Sequence, residues 1–69
     1  MKINHQMMHR DIVRRLNSIN KPQSHLAKRL EIGRSTIWRL NKGKEISTTN
    51  FFKIIAWLDN GIEKYIKHD

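Results

Sequence analysis

The chain has no cysteine, one proline, three glycines and only six acidic residues among its 69 positions. Without cysteine there is no disulfide framework, no thiolate metal site and no thiol nucleophile. With so little proline and glycine, the connections between ordered segments must be short. No apolar run approaches the roughly 18 residues of a membrane span, and none near the N-terminus reads as a signal peptide. The expectation is a soluble, cytoplasmic protein. A chain this short is read as one domain, residues 1–69, burying only about 60% of the surface its unfolded form exposes. That leaves no room for a large enclosed catalytic cleft. Alternating strand patterns and internal repeats are missing too.

What is present is apolar residues at three- and four-residue steps, the helical period. Met8, Ile12, Leu16 and Ile19, widened by Val13, predict a helix from about His5 to Ile19, ended at Asn20-Lys21-Pro22. A second helix starts near Pro22 and runs to Leu30, with Leu26, Ala27 and Leu30 inward. A third is expected from about Arg34 to Asn41, stopping before Gly43. Ser47 or Thr48 caps a fourth, with Phe51, Ile54, Ile55 and Leu58 on one face, and Gly61 breaks it. A fifth stretch, Gly61 to His68, carries Ile62, Tyr65 and Ile66. The expected fold class is all-α, a compact bundle of about five short helices.

Charge is unevenly spread. The net charge is +8, from 14 Lys and Arg against 6 Asp and Glu. Residues 21–44 hold Lys21, Lys28, Arg29, Arg34, Arg39, Lys42 and Lys44 against Glu31 alone, a net of +6. Seven basic and five acidic groups in the other 45 residues leave +2. Such segregation favours a polyanionic partner. A membrane surface would need one long helix with opposed basic and apolar faces. Here the basic segment is split across two short helices.

Two eight-residue helices joined by a tight turn must cross steeply. The small Ala27 permits close approach, while Leu30, Ile32, Ile37 and Leu40 fill the angle. At 100° per residue, Ile37 and Leu40 lie on one side of the third helix, with Arg34, Ser35, Trp38 and Arg39 opposite. Gln23, Leu26-Ala27, Leu30, Ile32 and the run Arg34-Ser35-Thr36-Ile37, followed by Leu40 and Gly43, resemble the XRE/Cro-type helix-turn-helix family of lambdoid phage repressors and Cro proteins. With Ser47, Phe51, Ile54 and Leu58 the resemblance covers about residues 10–58, with the helix-turn-helix at about 22–41. In one place the sequence departs from the family pattern. Glu31 stands where the family usually has glycine, at a site that is commonly left-handed, a conformation costing other residues about 1 kcal/mol or more. Gly33, two residues on, offers the turn another path. Sliding the register to use it would bury Lys28 and Arg29.

The resemblance implies operator binding, with the third helix in the major groove of double-stranded DNA. The base-reading positions map to Arg34, Ser35, Trp38 and Arg39. A bidentate arginine–guanine contact discriminates by about 1–3 kcal/mol. Trp38 meets either a thymine methyl, or a neighbouring helix or dimer partner. Gln23, Asn41, Lys42, Lys44 and Lys28 are the expected phosphate contacts, which fix position and carry no sequence information directly. Family members typically dimerise, placing two recognition helices about 34 Å apart. The apolar residues outside the fourth helix's core stripe, Phe52 and Trp57, with Tyr65 and Ile66, are the dimerisation candidates, within about 50–69. The alternative is that the C-terminal segment folds back and covers them in one chain.

Other chemistries find less support. His5 and His9 have metal-binding spacing but no third ligand, so no metal is expected. Ser24, His25 and Ser35 offer no water-excluded pocket for catalysis, so no enzyme, cofactor or small-molecule ligand is expected. The expected function is a compact phage or prophage transcriptional regulator of Cro or repressor kind. The alternatives are an antitoxin or restriction-modification controller on the same fold, and a protein-interaction adaptor that no longer binds DNA.

Overall fold

The computed structural model describes residues 2–67. It is mostly helical: α1 (His5–Ser18), α2 (Gln23–Leu30), α3 (Arg34–Asn41) and α4 (Thr48–Leu58), then a single 3₁₀ turn at Ile62–Tyr65. A two-residue antiparallel pairing joins β1 (Lys2–Ile3) to β2 (Ile66–Lys67), with Ile3 opposite Ile66. α1 is the platform, touching α2, α3, α4 and the 3₁₀ turn. Met8, Ile12 and Leu16 from α1 meet Leu26, Ile32, Ile37, Leu40, Phe51, Ile54, Leu58 and Tyr65 in one core. Each such side chain contributes about 1.5–3 kcal/mol by leaving water.

Two helix starts are closed by side chains. Asn4 Oδ1 accepts from Met7 N–H at 3.1 Å, and Ser47 Oγ accepts from Asn50 N–H at 3.2 Å. Left-handed residues end the helices: Asn20 after α1, Glu31 after α2, Gly43 after α3 and Asp59 after α4. At Glu31 the geometry is a Schellman motif, with Ile32 N–H bonded to Ala27 O at 3.0 Å and Glu31 N–H to Lys28 O at 3.4 Å. Glu31 therefore takes the left-handed turn itself, at φ 54°, while Gly33 is extended at φ −73° and offers no alternative path.

Three expectations are corrected. The fifth helical stretch is a 3₁₀ turn followed by extended backbone. The N–H and C=O groups beyond that turn pair instead with the N-terminal segment, and Asn4 N–H adds a bond to Tyr65 O at 2.6 Å. His68 lies outside the described residues. Asp59, not Gly61, ends α4; Gly61 is extended at φ −69° and opens the 3₁₀ turn. Ile19 leaves the core stripe and is exposed, because α1 ends at Ser18 and Asn20 turns the chain away.

The folded-back C-terminal segment carries a polar cluster. Tyr65, fully buried, donates its O–H to Asp11 Oδ2 at 2.8 Å and accepts from Asn60 Nδ2 at 3.0 Å. Lys64 Nζ sits 3.0 Å from the same carboxylate, which is 6% exposed. Burial alone would raise the Asp11 carboxyl, but the hydrogen bonds from Lys64 and Tyr65 and the charges of Lys64 and Arg10 outweigh it, so its pKa lies below the ordinary value. Tyr65 is pushed up to about 12 by burial and by the carboxylate it bonds. On the same side, Arg15 Nη1 donates to Leu58 O at 3.3 Å while its guanidinium lies 5.3 Å over the Trp57 ring. That places a cation on the carbonyl end of α4, where the helix dipole favours it.

Candidate nucleic-acid interface

The inner side of α3 is fixed by Ile37 and Leu40 in the core and by Thr36, whose Oγ1 accepts from Asn50 Nδ2 of α4 at 3.3 Å. With that side committed, the helical period delivers Arg34, Ser35, Trp38 and Arg39 to the other, and all four are exposed. Trp38 is 52% exposed, far out for so large an apolar residue. Asn41, Lys42 and Lys44 are exposed at the far end of the helix.

The fold brings α2 alongside the start of this face. Gln23 and Ser24 line a hollow with Arg34 and Ile37, and Lys21, Ser24, His25 and Lys28 share a neighbouring cleft with Arg34. Among the expected phosphate contacts, Gln23 and Lys28 thus converge on Arg34. Asn41, Lys42 and Lys44 form a separate group at the other end of α3. Sequence reasoning left out Lys21, Ser24 and His25 as lining residues. For two of them the signal was present: Ser24 and His25 precede Lys28 on α2 by four and three positions, the spacings that share a helix face, while Lys21 lies before the helix. The acidic neighbours are few. Glu31 occupies the turn, and Glu45 shares a hollow with Thr36, Arg39, Ile46 and Ser47.

The two helices of this region also differ from the other two at their starts. α2 begins after Pro22 and α3 after Gly33, and neither has a side-chain cap hydrogen bond. Of their first-turn N–H groups, those of His25 and Thr36 bond back to Pro22 O and Gly33 O at 3.0 Å. That leaves those of Gln23, Ser24, Arg34 and Ser35 to an external acceptor, and the dipole makes that acceptor preferentially anionic. One contact orders the exposed face: Lys44 Nζ lies 5.3 Å from the centroid of the Trp38 ring.

The dimerisation candidates divide. Tyr65 is withdrawn, because it is wholly inside the chain and bonded to Asp11. Trp57 is half-buried against the core beneath Arg15, and Ile66 is half-buried with its backbone paired to Ile3. Phe52 alone of the four stays open, at 54% exposure, touching Phe51 edge-on. Among the described residues no group of three or more His, Asp or Glu side chains is placed to hold a metal ion, and no helix is long and apolar enough to cross a membrane. Searches against protein-family models, curated proteins and solved structures gave no match to this chain.

Proposed function

We propose that this protein is a sequence-specific double-stranded DNA-binding regulator in which α2 and α3 act as a helix-turn-helix and α3 enters the major groove. The observation that carries this reading is the exposed face of α3. Arg34, Ser35, Trp38 and Arg39 stand free there, flanked by two uncapped helix starts and by the cations of residues 21–44. In this reading Arg34 and Arg39 bond guanine edges, Ser35 bonds a base or a phosphate, and Trp38 meets an apolar group. Gln23 and Lys28 hold one phosphate run, while Asn41, Lys42 and Lys44 hold the other. A homodimer on a near-palindromic operator extends the few base pairs that one helix reads, with Phe52 as the contact open to a second copy. Repression by occluding a promoter needs no more than duplex binding, and a phage or prophage regulator of Cro or repressor kind fits the resemblance over about residues 10–58.

Selection of bound duplexes from a random pool at low ionic strength tests this reading. The expected outcome is an enriched near-palindrome whose half-sites lie one helical turn apart. Affinity for it should fall steeply with salt, with a log–log slope near −0.9 for each phosphate neutralised. Recovery of no sequence, or affinity indifferent to salt, would overturn the reading. The first outcome would favour the protein-interaction adaptor that no longer binds DNA.

A further inference from the structure

Trp38 is the largest side chain on the free face of α3, and the structure leaves half of it in water. Its neighbour is fixed from below. Gly43 turns left-handed at φ +73°, and Lys44 N–H then bonds Arg39 O at 2.8 Å, which returns the chain over the end of α3. That turn brings the Lys44 ammonium to 5.3 Å from the Trp38 ring centroid, within cation–π range. A cation on one face of the indole restrains the ring and leaves its other face and edge to a ligand.

The major groove offers one apolar feature on base edges, the C5 methyl of thymine, which 5-methylcytosine also carries. The rest of the free face is polar, so Trp38 is its one apolar probe. We propose that Trp38 and Lys44 form a single unit that reads a pyrimidine C5 methyl, with Trp38 touching the methyl and Lys44 positioning the ring. This rests on the duplex-binding reading above and sharpens it, because Lys44 then affects sequence preference as well as backbone contact.

The test uses the selected operator. Each thymine is replaced singly by uracil, and cytosine or 5-methylcytosine is placed at any sensitive position. Dissociation constants are measured at fixed salt for the native chain and for Trp38→Ala, Lys44→Ala and Lys44→Arg, with melts to confirm folding. For the native chain, one position per half-site should weaken roughly fourfold when thymine becomes uracil, the worth of burying one methyl group. At that position 5-methylcytosine should bind tighter than cytosine by a similar factor. A thymine–uracil difference without a cytosine–5-methylcytosine difference would restrict the unit to thymine and overturn the general methyl reading. Trp38→Ala should abolish the thymine–uracil ratio. Lys44→Ala should reduce that ratio as well as overall affinity, and Lys44→Arg, which also stacks on indole, should retain it. Tight operator binding with no thymine sensitive to uracil would overturn the unit while leaving DNA binding intact. An unchanged ratio in Lys44→Ala would overturn the positioning role of Lys44. Failure of the native chain to bind any duplex would remove both readings.

Discussion

The same residue types are used in opposite ways at the two ends of this small fold. In the half built from α1, α4 and the C-terminal turn, Asp11 is bonded by Tyr65 and Lys64, and Arg15 covers the end of α4. Both helix starts there are closed by Asn4 and Ser47. In the half built from α2 and α3, the helix starts lack such caps and the cations face outward. Where polar groups are tied to one another, they secure the fold. Where they are left open, they are available to a partner. Charge alone does not separate the two cases; partnership does.

The largest effect should come from cutting the tied cluster. Asp11→Ala removes the acceptor for the buried Tyr65 hydroxyl and for Lys64, so a loss of about 3 kcal/mol is expected in a thermal or urea melt. Lys64→Ala should cost under about 1 kcal/mol, because its ammonium is half in water. Equal losses from the two would mean that the ion pair, rather than the buried hydroxyl–carboxylate bond, holds the cluster.

On the open side the expected effects are on binding and not on stability. Arg39→Ala should cost about 1–3 kcal/mol on the preferred operator and relax the base preference at one position. Lys42→Ala should weaken all duplexes alike and reduce the salt slope by about one. Both variants should melt within about 0.5 kcal/mol of the native chain, since both side chains are exposed. If the two variants shift specificity equally, the division between base and backbone contacts fails.

Much of this arrangement was legible in the sequence, for particular reasons. The period of Ile37 and Leu40 set which side of α3 is free, because a short helix has one way to bury two apolar residues a turn apart. The end of α3 was legible from Gly43, and the cap of α4 was narrowed to Ser47 or Thr48, of which Ser47 makes the bond. What could not be read was long-range. Nothing local to Tyr65 announces a partner at Asp11, 54 positions earlier, so its aromatic ring looked like a free surface. The pairing of Ile3 with Ile66 is two residues long, too short to leave an alternating pattern. The contact between Lys44 and Trp38 depends on a left-handed glycine returning the chain, which spacing alone does not convey.

Titration should report on the tied half, since His9 and Asp11 on α1 and Tyr65 in the C-terminal turn are displaced from their ordinary pKa values. His9 is held below its ordinary value of 6.5 by burial. The unfolded chain therefore takes up that proton first, and stability should begin to fall as pH drops below about 6.5. Asp11 has a lowered carboxyl pKa, so its contribution is present above the ordinary 3.8 and is lost as pH falls through the folded value. Tyr65 runs the other way. The unfolded chain loses the phenolic proton near 10.0 while the folded one holds it to about 12, so stability should fall as pH rises beyond 10. Urea midpoints measured from pH 3 to 11 check all three. A profile flat below pH 3.8 in the native chain, or unchanged there in Asp11→Asn, would show that the cluster does not carry the acid dependence.

The smallest expected effect falls in the turn between α2 and α3. Glu31 occupies the left-handed region without the side chain that Asn20 or Asp59 brings to theirs, since asparagine and aspartate tolerate that conformation better than glutamate. Glu31→Gly relieves about 1 kcal/mol of backbone strain, against the greater entropy that glycine gives the unfolded chain. The two terms nearly balance, so stability should stay level or rise by up to about 1 kcal/mol. Removing the acid also raises the net positive charge beside the open face, so duplex affinity should increase slightly at low salt and converge with the native value at high salt. Gly33→Ala makes the contrast, because Gly33 is extended and a Cβ there meets Ser35 Oγ at an ordinary 3.5 Å. It should be nearly neutral. A Glu31→Gly chain less stable by more than 1 kcal/mol, with Gly33→Ala strongly destabilising, would mean that Gly33 and not Glu31 turns the corner, and that α3 presents a different face.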